Sequence, residues 1–177
     1  VPDETAEQVR LDFEKFLKDF YISENSREKV FPYRNQIENF RAADLDTIFI
    51  DFSHLFLFDE TLASTVQSQF YRMDPYLRKA VQNVVTEIDP EYLDLRVGSF
   101  GDSSITRSFW ISWYGTQNVC RLRELRMNLL GQLVSISGTV TRTSDVRPEL
   151  LFGTFQCRSC MTLIKDVEQE FKYTEPT

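Results

Sequence analysis

Residues 121–160 read RLRELRMNLLGQLVSISGTVTRTSDVRPELLFGTFQCRSC, and within a few residues this stretch changes from a helical to an extended pattern. From Gly131 onward the side chains alternate with a period of two, and many are β-branched, as in a β-strand. Gly138 lies inside the run, where a glycine indicates a bend or bulge that curls a sheet. The stretch therefore predicts a long, curved strand that ends near Pro148.

A second extended piece, residues 150–156, leads directly to Cys157 and Cys160. Two curved strands that end in a Cys-x-x-Cys turn indicate a small β-barrel with a metal-binding insertion. One such pair supplies only two of the four ligands of a closed zinc site, and zinc ribbons take the others from a second pair about 15–20 residues later. No second pair precedes Thr177.

Other interpretations of these cysteines are open. They are a pair of reduced surface thiols, or Cys120 and the single histidine, His54, complete a Cys₃His set with them. Against that set, His54 falls among predicted helices and Cys120 precedes the predicted barrel. A redox pair is not indicated, because it is expected at a helix N-terminus within a βαβ unit.

Two arginines of the barrel segment are candidates for contact with nucleic acid. Arg142 falls on the predicted strand and Arg147 in the turn that follows, close enough to face one ligand. Barrels of the OB type bind single strands along a strand face and its loops, where arginine pairs with phosphate. The alternative is that both are ordinary surface arginines. Three other arginines favour a solvated helix face or a domain junction: Arg121, Arg123 and Arg126.

The chain before this stretch is predicted to be mainly helical, from the spacing of its apolar residues. Helices are predicted over residues 4–21, 33–41, 53–58, 62–73 and 76–88. Ser53 is expected to cap the third of them, and Asp74 with Pro75 to begin the last. Strands are predicted over residues 47–52 (TIFIDF) and 108–114 (SFWISWY), and loops over residues 23–29 and 89–102.

The composition is that of a globular protein with an acidic surface. Of 177 residues, 42 % are apolar and 14 % aromatic, which is enough for a real core. The formal charge of −7 has the wrong sign for attracting nucleic acid through the overall field, so DNA contact needs a local basic cluster. The three cysteines do not resemble a disulfide framework, and no run is apolar enough to span a bilayer. We therefore expect a soluble, intracellular protein with no membrane partner.

This sequence contains no catalytic motif, and no catalytic residue is assigned. A G-x-x-x-x-G-K-[ST] phosphate-binding loop is absent, and one histidine limits acid–base schemes. We expect this chain alone not to hydrolyse ATP.

The run LLGQLVSISGTVTRTSDVRPEL, followed by FGTFQC and a further cysteine, resembles the N-terminal region of the minichromosome maintenance (MCM) family of replicative DNA helicases. The ending KDVEQEFKYTEPT, with FYRMDPYLRKAV at residues 70–81, is similar to the sixth-subunit type of that family. The strong motifs cover residues 121–177, and residues 1–114 match more loosely.

The resemblance implies an α+β fold in three parts. Residues 1–114 are expected to form a mainly helical bundle domain, residues 115–156 a linker and the first strands of an OB-type β-barrel, and residues 157–177 the first half of a zinc ribbon. Cys157 and Cys160 would then be half of a structural zinc site whose second cysteine pair lies beyond Thr177, so that the chain is a fragment.

The resemblance also implies the function of an N-terminal part of a helicase subunit, which forms a DNA-encircling collar in a hexameric ring. Arg142, and less directly Arg147, would face single-stranded DNA in the channel. ATP and magnesium would be bound only by a following AAA+ domain. The implied partners are paralogous MCM subunits in a hetero-hexamer, single- and double-stranded DNA and replication initiation factors, and the implied location is chromatin in the nucleus. The alternative is a free-standing OB and zinc-ribbon protein that binds single-stranded nucleic acid without a motor.

Overall fold

The chain divides into two units, Val1–Gly138 and Thr139–Thr177. The computed structural model describes residues 3–24, 28–95, 105–116 and 119–169. The helices in this part are α1 (Glu4–Asp19), α2 (Pro32–Glu38), α3 (Phe40–Ala43), α4 (Phe52–Phe58), α5 (Glu60–Ser68) and α6 (Phe70–Ile88). The strands are β1 (Ile22–Glu24), β2 (Glu28–Val30), β3 (Thr47–Asp51), β4 (Asp94–Leu95), β5 (Ile105–Thr106), β6 (Trp110–Tyr114), β7 (Val119–Arg121), β8 (Ser135–Ser137), β9 (Phe152–Gln156) and β10 (Leu163–Glu168).

Helix α1 begins at an aspartate and buries one side in the core of the first unit. The Asp3 side chain accepts a hydrogen bond from Ala6 N at 3.2 Å, which satisfies one N–H group of the first turn. The apolar residues spaced three and four apart are buried: Val9, Phe13, Phe16 and Leu17. The predicted first helix is confirmed, and α6 is its main packing partner.

Helix α6 runs without interruption through Pro75, so the predicted start of a new helix at Asp74 and Pro75 is wrong. The break lies instead at Gln69, between α5 and α6, where φ is −124° and ψ is 36°. An interior proline removes one helical hydrogen bond and costs about 3 kcal/mol. Met73 and Leu77, on either side of Pro75, are both fully buried, and this burial holds the helix together.

Strands β3 and β6 form a two-stranded parallel sheet in which Ile50 lies opposite Trp113. Both strands were expected from their β-branched and aromatic residues, and Ile48 and Ile50 lie fully buried on one face. At the free edge of β3, Gln36 Nε2 donates to Phe49 O and Gln36 Oε1 accepts from Phe49 N, both at 3.1 Å. The carboxamide of Gln36 therefore takes the place of a neighbouring strand.

Two of the predicted loops contain regular structure. β1 and β2 overlap the two ends of residues 23–29 and pair in an antiparallel arrangement. Within residues 89–102, a 3-10 turn, Pro90–Leu93, precedes β4, which pairs with β5. The remainder of these two segments, residues 25–27 and 96–102, lies outside the described residues.

The chain leaves β6 through a turn at Gly115, whose φ of 72° favours glycine. A Cβ at this position would overlap Asp51 Oδ1. Asp51 caps α4 by accepting a hydrogen bond from Ser53 N at 2.9 Å, so the predicted cap, Ser53, is wrong. The Ser53 hydroxyl instead donates to Gly115 O at 3.2 Å, which fixes the turn to the N-terminus of α4.

The segment after this turn is fixed to the α5–α6 break by two backbone hydrogen bonds. Tyr71 N donates to Gly131 O at 3.0 Å, and Leu133 N donates to Gln67 O at 2.9 Å. Strands β7 and β8 pair in parallel beside this contact. The break at Gln69 thus leaves backbone groups free to hold the segment that leads to the second unit.

The second unit is built on an antiparallel pair, β9 and β10, with a register shift between Ile164 and Val167. The predicted extended piece at residues 150–156 is confirmed by β9. The predicted long strand is not, because only Ser135–Ser137 forms β8 and residues 138–150 carry no regular element. A strand needs a neighbour for its backbone groups, and none lies beside residues 139–150 within the described part of the chain.

None of the helices in the described ranges is long and apolar enough to cross a membrane.

Candidate nucleic-acid interface and metal centre

The turn between β9 and β10 presents both cysteines of the Cys-x-x-Cys pair to solvent. Cys157 N donates to Thr162 O at 2.9 Å, and Met161 N donates to Cys157 O at 3.0 Å. Met161 closes the turn with a φ of 59°, which is uncommon for a residue other than glycine. The two thiols therefore lie together on a short turn that backbone hydrogen bonds hold closed.

Thr162 lies against the second thiol of this turn. Cys160 Sγ donates to Thr162 Oγ1 at 3.2 Å, and when the thiol ionises the hydroxyl can donate to the sulfur instead. This hydrogen bond, with further ones from the Thr162 backbone and from Cys157, lowers the pKa of the Cys160 thiol to about 7. A thiolate is the form that binds metal, so the turn favours the ligand form of Cys160. Sequence reasoning missed Thr162, whose signal is a hydroxyl two residues after the second cysteine.

Two neighbouring thiols on one tight turn fit half of a tetrahedral zinc site. Within the described residues, no group of three or more potential metal ligands occurs. Cys120 is half-buried in β7 of the first unit. His54 contacts two other side chains. Its Nδ1 lies 2.7 Å from Tyr33 Oη, and its ring stacks on Phe20 at a centroid distance of 4.9 Å.

The two candidate arginines lie on the exposed segment between Gly138 and β9. Arg142, predicted on a strand, lies in irregular backbone, so that part of the prediction is wrong. Arg142 and Arg147 nevertheless line the same open, polar concavity of about 980 Å³, together with Thr143, Ser144 and Asp145. Both arginines therefore border one space, and their contact with a ligand stays a prediction.

Neither arginine forms an ion pair among the residues described. Asp145 lies in the same concavity and Glu149 close by in the sequence, yet neither carboxylate reaches a guanidinium group. Both cations are thus available to an external anion such as phosphate. The upstream arginines are exposed on β7 and the turns that follow it: Arg121, Arg123 and Arg126.

Comparison with known proteins identifies both parts of the chain. Residues 10–115 match the MCM N-terminal domain, and residues 121–177 match the MCM OB domain. The chain belongs to the MCM family.

Curated relatives agree with this assignment along the whole chain. The DNA replication licensing factor MCM6 of Arabidopsis thaliana is 41 % identical over 177 residues, which are 100 % of this chain and 20 % of the relative. The corresponding factor of Schizosaccharomyces pombe is 36 % identical over 192 residues, covering 100 % of this chain and 21 % of the relative. The zygotic factor mcm6-B of Xenopus laevis is 34 % identical over 177 residues, again 100 % of this chain and 20 % of the relative.

These names confirm the resemblance to the sixth-subunit type. The MCM chain has a helical N-terminal domain followed by the beginning of an OB domain, as predicted. It spans about one fifth of the length of these relatives. The finer boundaries at residues 114 and 156, the DNA-contacting role of Arg142 and Arg147, and the zinc-binding role of Cys157 and Cys160 stay predictions.

Proposed function

We propose that this chain is the N-terminal collar of a replicative DNA helicase subunit and that its OB region guides single-stranded DNA through a hexameric ring. One observation carries the proposal. Arg142 and Arg147 have no ion-pair partner among the described residues and line one concavity, within the segment that matches the MCM OB domain. Arginines on OB-type barrels bind the phosphates of single strands.

The acidity of the chain argues that this contact works within an assembly. A net charge of −7 opposes the approach of a polyanion, and two arginines offer few phosphate contacts. Binding by one copy alone is therefore weak. A ring that encircles the strand adds the contacts of its other subunits, which makes the same two arginines effective.

The motor belongs to the longer subunit rather than to this chain. ATP hydrolysis with magnesium is assigned to an AAA+ domain that follows the OB domain, and zinc to a ribbon whose first two ligands are Cys157 and Cys160. The partners are paralogous MCM subunits in a hetero-hexamer, single- and double-stranded DNA and replication initiation factors. The place of action is chromatin in the nucleus, which agrees with the licensing-factor names of the relatives. Those names do not favour a free-standing single-strand binder.

A salt titration of assembled rings tests the contact. The affinity of a ring for single-stranded DNA falls with salt in proportion to the number of phosphates neutralised, by about 0.7 in logarithmic slope for each contact. Replacing Arg142 by alanine in the one subunit of this type should therefore lower the slope by about 0.7. Because the side chain is exposed and unpaired, the free energy of unfolding should change by no more than about 0.5 kcal/mol.

Arg123→Ala is the matched control, since it removes the same charge from an exposed position in the first unit. It should leave the salt slope unchanged. If Arg142→Ala lowers the melting temperature and leaves the slope as in the wild type, the arginine stabilises the fold and the proposed DNA contact is wrong.

A further inference from the structure

The concavity that holds the two arginines also contains a serine between them. Ser144 lies two residues after Arg142 and three before Arg147, and it is one of the residues that line the same space of about 980 Å³. It is exposed on irregular backbone, and its hydroxyl has no hydrogen-bond partner in the described part of the chain. A hydroxyl in this setting is open to a modifying enzyme, since neither secondary structure nor packing has to be broken to reach it.

The charges around Ser144 favour a phosphate at this position. Arg142 and Arg147 carry two positive charges, and neither is neutralised by an ion pair among the described residues. A phosphoserine brings about −1.5 to −2 charges at neutral pH and three acceptor oxygens, and opposite an arginine cluster it forms charge-assisted hydrogen bonds. The Asp145 carboxylate in the same concavity opposes this gain, but a single carboxylate does not offset two guanidinium groups.

We propose that Ser144 is a phosphorylation site and that its phosphate occupies the two guanidinium groups that would otherwise bind DNA. The inference rests on the proposed function, because it names a regulation of the same site. In the reaction, Ser144 Oγ attacks the γ-phosphorus of ATP in the active site of a protein kinase that selects flanking arginines. The bond between the γ-phosphorus and the oxygen that bridges it to the β-phosphate breaks, ADP leaves, and the hydroxyl proton passes to the kinase's catalytic base.

Thr143 offers a control within the same segment, because it is exposed, carries a hydroxyl and lines the same concavity. The chain, before it assembles into a ring, is incubated with radiolabelled ATP and the catalytic domain of an arginine-directed kinase, such as protein kinase C. Label should enter the wild-type subunit and its Thr143→Ala variant, and should be lost from Ser144→Ala. Equal labelling of Ser144→Ala, or no label in the wild type, would overturn the site.

The pairing of the phosphate is measured without DNA. Phosphoserine is incorporated at position 144 by genetic encoding, and its second ionisation, ordinarily near pH 6, is followed by phosphorus NMR. Pairing with arginine stabilises the dianion, so the pKa should fall below the ordinary value and return to it when Arg142 and Arg147 are both alanine. An ordinary pKa in the protein with both arginines intact would contradict the pairing.

The effect on DNA is then read from the salt slope of rings that carry phosphoserine at position 144. Loss of both contacts should lower the slope by about 1.4, twice the value of about 0.7 for one contact. Phosphoserine at Ser108, an exposed residue of the first unit, adds the same charge and should leave the slope unchanged. If Arg142→Ala lowers the slope and phosphoserine at 144 does not, this inference fails alone. If neither changes the slope while the lowered pKa stands, the proposed DNA contact fails.

Discussion

At the scale of single residues, Tyr33 is the polar centre of an apolar core. Its side chain is 1 % exposed. Tyr33 Oη accepts a hydrogen bond from Asp51 N at 3.2 Å and lies 2.7 Å from His54 Nδ1, to which it can donate its proton. Burial raises the pKa of the Tyr33 phenol, so the proton stays on the oxygen. The single histidine of the chain thus satisfies a buried hydroxyl.

Replacing Tyr33 by phenylalanine should lower the free energy of unfolding by about 1–3 kcal/mol, since it leaves Asp51 N and His54 Nδ1 without this partner. Chemical denaturation of the two proteins measures the difference. Tyr71→Phe is the control, because Tyr71 is 84 % exposed and its hydroxyl can bond to water. An equal effect of the two changes would show that the buried hydrogen bonds contribute nothing.

At the scale of elements, Asp3 joins the first and last helices of the bundle. Its carboxylate caps α1 and also accepts hydrogen bonds from Arg72 Nε and Nη2 on α6, both at 2.6 Å. The hydrogen bond to Arg72 is the main reason that the pKa of Asp3 lies below its ordinary value of 3.8. The folded protein therefore holds this proton less readily than the unfolded chain.

Because the carboxyl pKa of Asp3 is lowered in the folded protein, its contribution to the free energy of unfolding depends on pH. The contribution is complete above the ordinary pKa of 3.8 and is lost as the pH falls through the lowered value of the folded protein. Asp3→Asn keeps an N-cap but lacks the charge, so its melting temperature should lie below that of the wild type at pH 6 and approach it below pH 3.8.

Asp59→Asn is the matched control for this prediction. Asp59 caps α5 through Thr61 N and Leu62 N and has no ion pair within the described residues. At pH 6 its melting temperature should differ less from that of the wild type than the melting temperature of Asp3→Asn does, because no ion pair is lost. A constant difference for Asp3→Asn across this range would mean that the Arg72 pair does not stabilise the fold.

Local patterns predicted most elements but not how they combine. The spacing of Phe13, Phe16 and Leu17 was sufficient for α1, because one buried face fixes a helix. The parallel pairing of β3 with β6 could not be predicted, since it joins residues about sixty positions apart and depends on the core between them. The helix start predicted at Pro75 was wrong because the buried face of α6 outweighs a local helix breaker.

The candidate site was predictable in its residue types and less so in its geometry. Arg142 and Arg147 were selected from a predicted strand and turn and from the family resemblance, and both line one concavity. Their backbone was predicted as a strand followed by a turn, yet it is irregular, because alternation alone does not supply the strand's hydrogen-bond partner. The contact of Thr162 with Cys160 was missed, since it depends on how the turn closes.

At the scale of the whole molecule, the two units differ in what holds them together. The buried apolar cluster of the described residues lies entirely in the first unit. In the described part of the second unit, large apolar side chains stay exposed on both strands: Phe152 (50 %), Leu163 (55 %) and Ile164 (44 %). Burial of apolar side chains is the main stabilising term of most domains. Apolar burial therefore contributes less to the stability of the described part of the second unit. A metal held by Cys157 and Cys160 would add to that stability.

The strength of zinc binding distinguishes a site with two cysteine ligands from a complete site with four. In the 177-residue chain, Zn²⁺ should be held weakly and be removed by a chromophoric chelator, because two thiolates leave half of its coordination to water. A chain extended through a second cysteine pair should retain one zinc per molecule, and Cys157→Ser should abolish this retention. Cys120→Ser is the control and should change nothing, since Cys120 is a half-buried residue of β7 and not part of the Cys-x-x-Cys turn. One tightly bound zinc in the 177-residue chain would instead require all four ligands within it, and His54 and Cys120 would be the first to test.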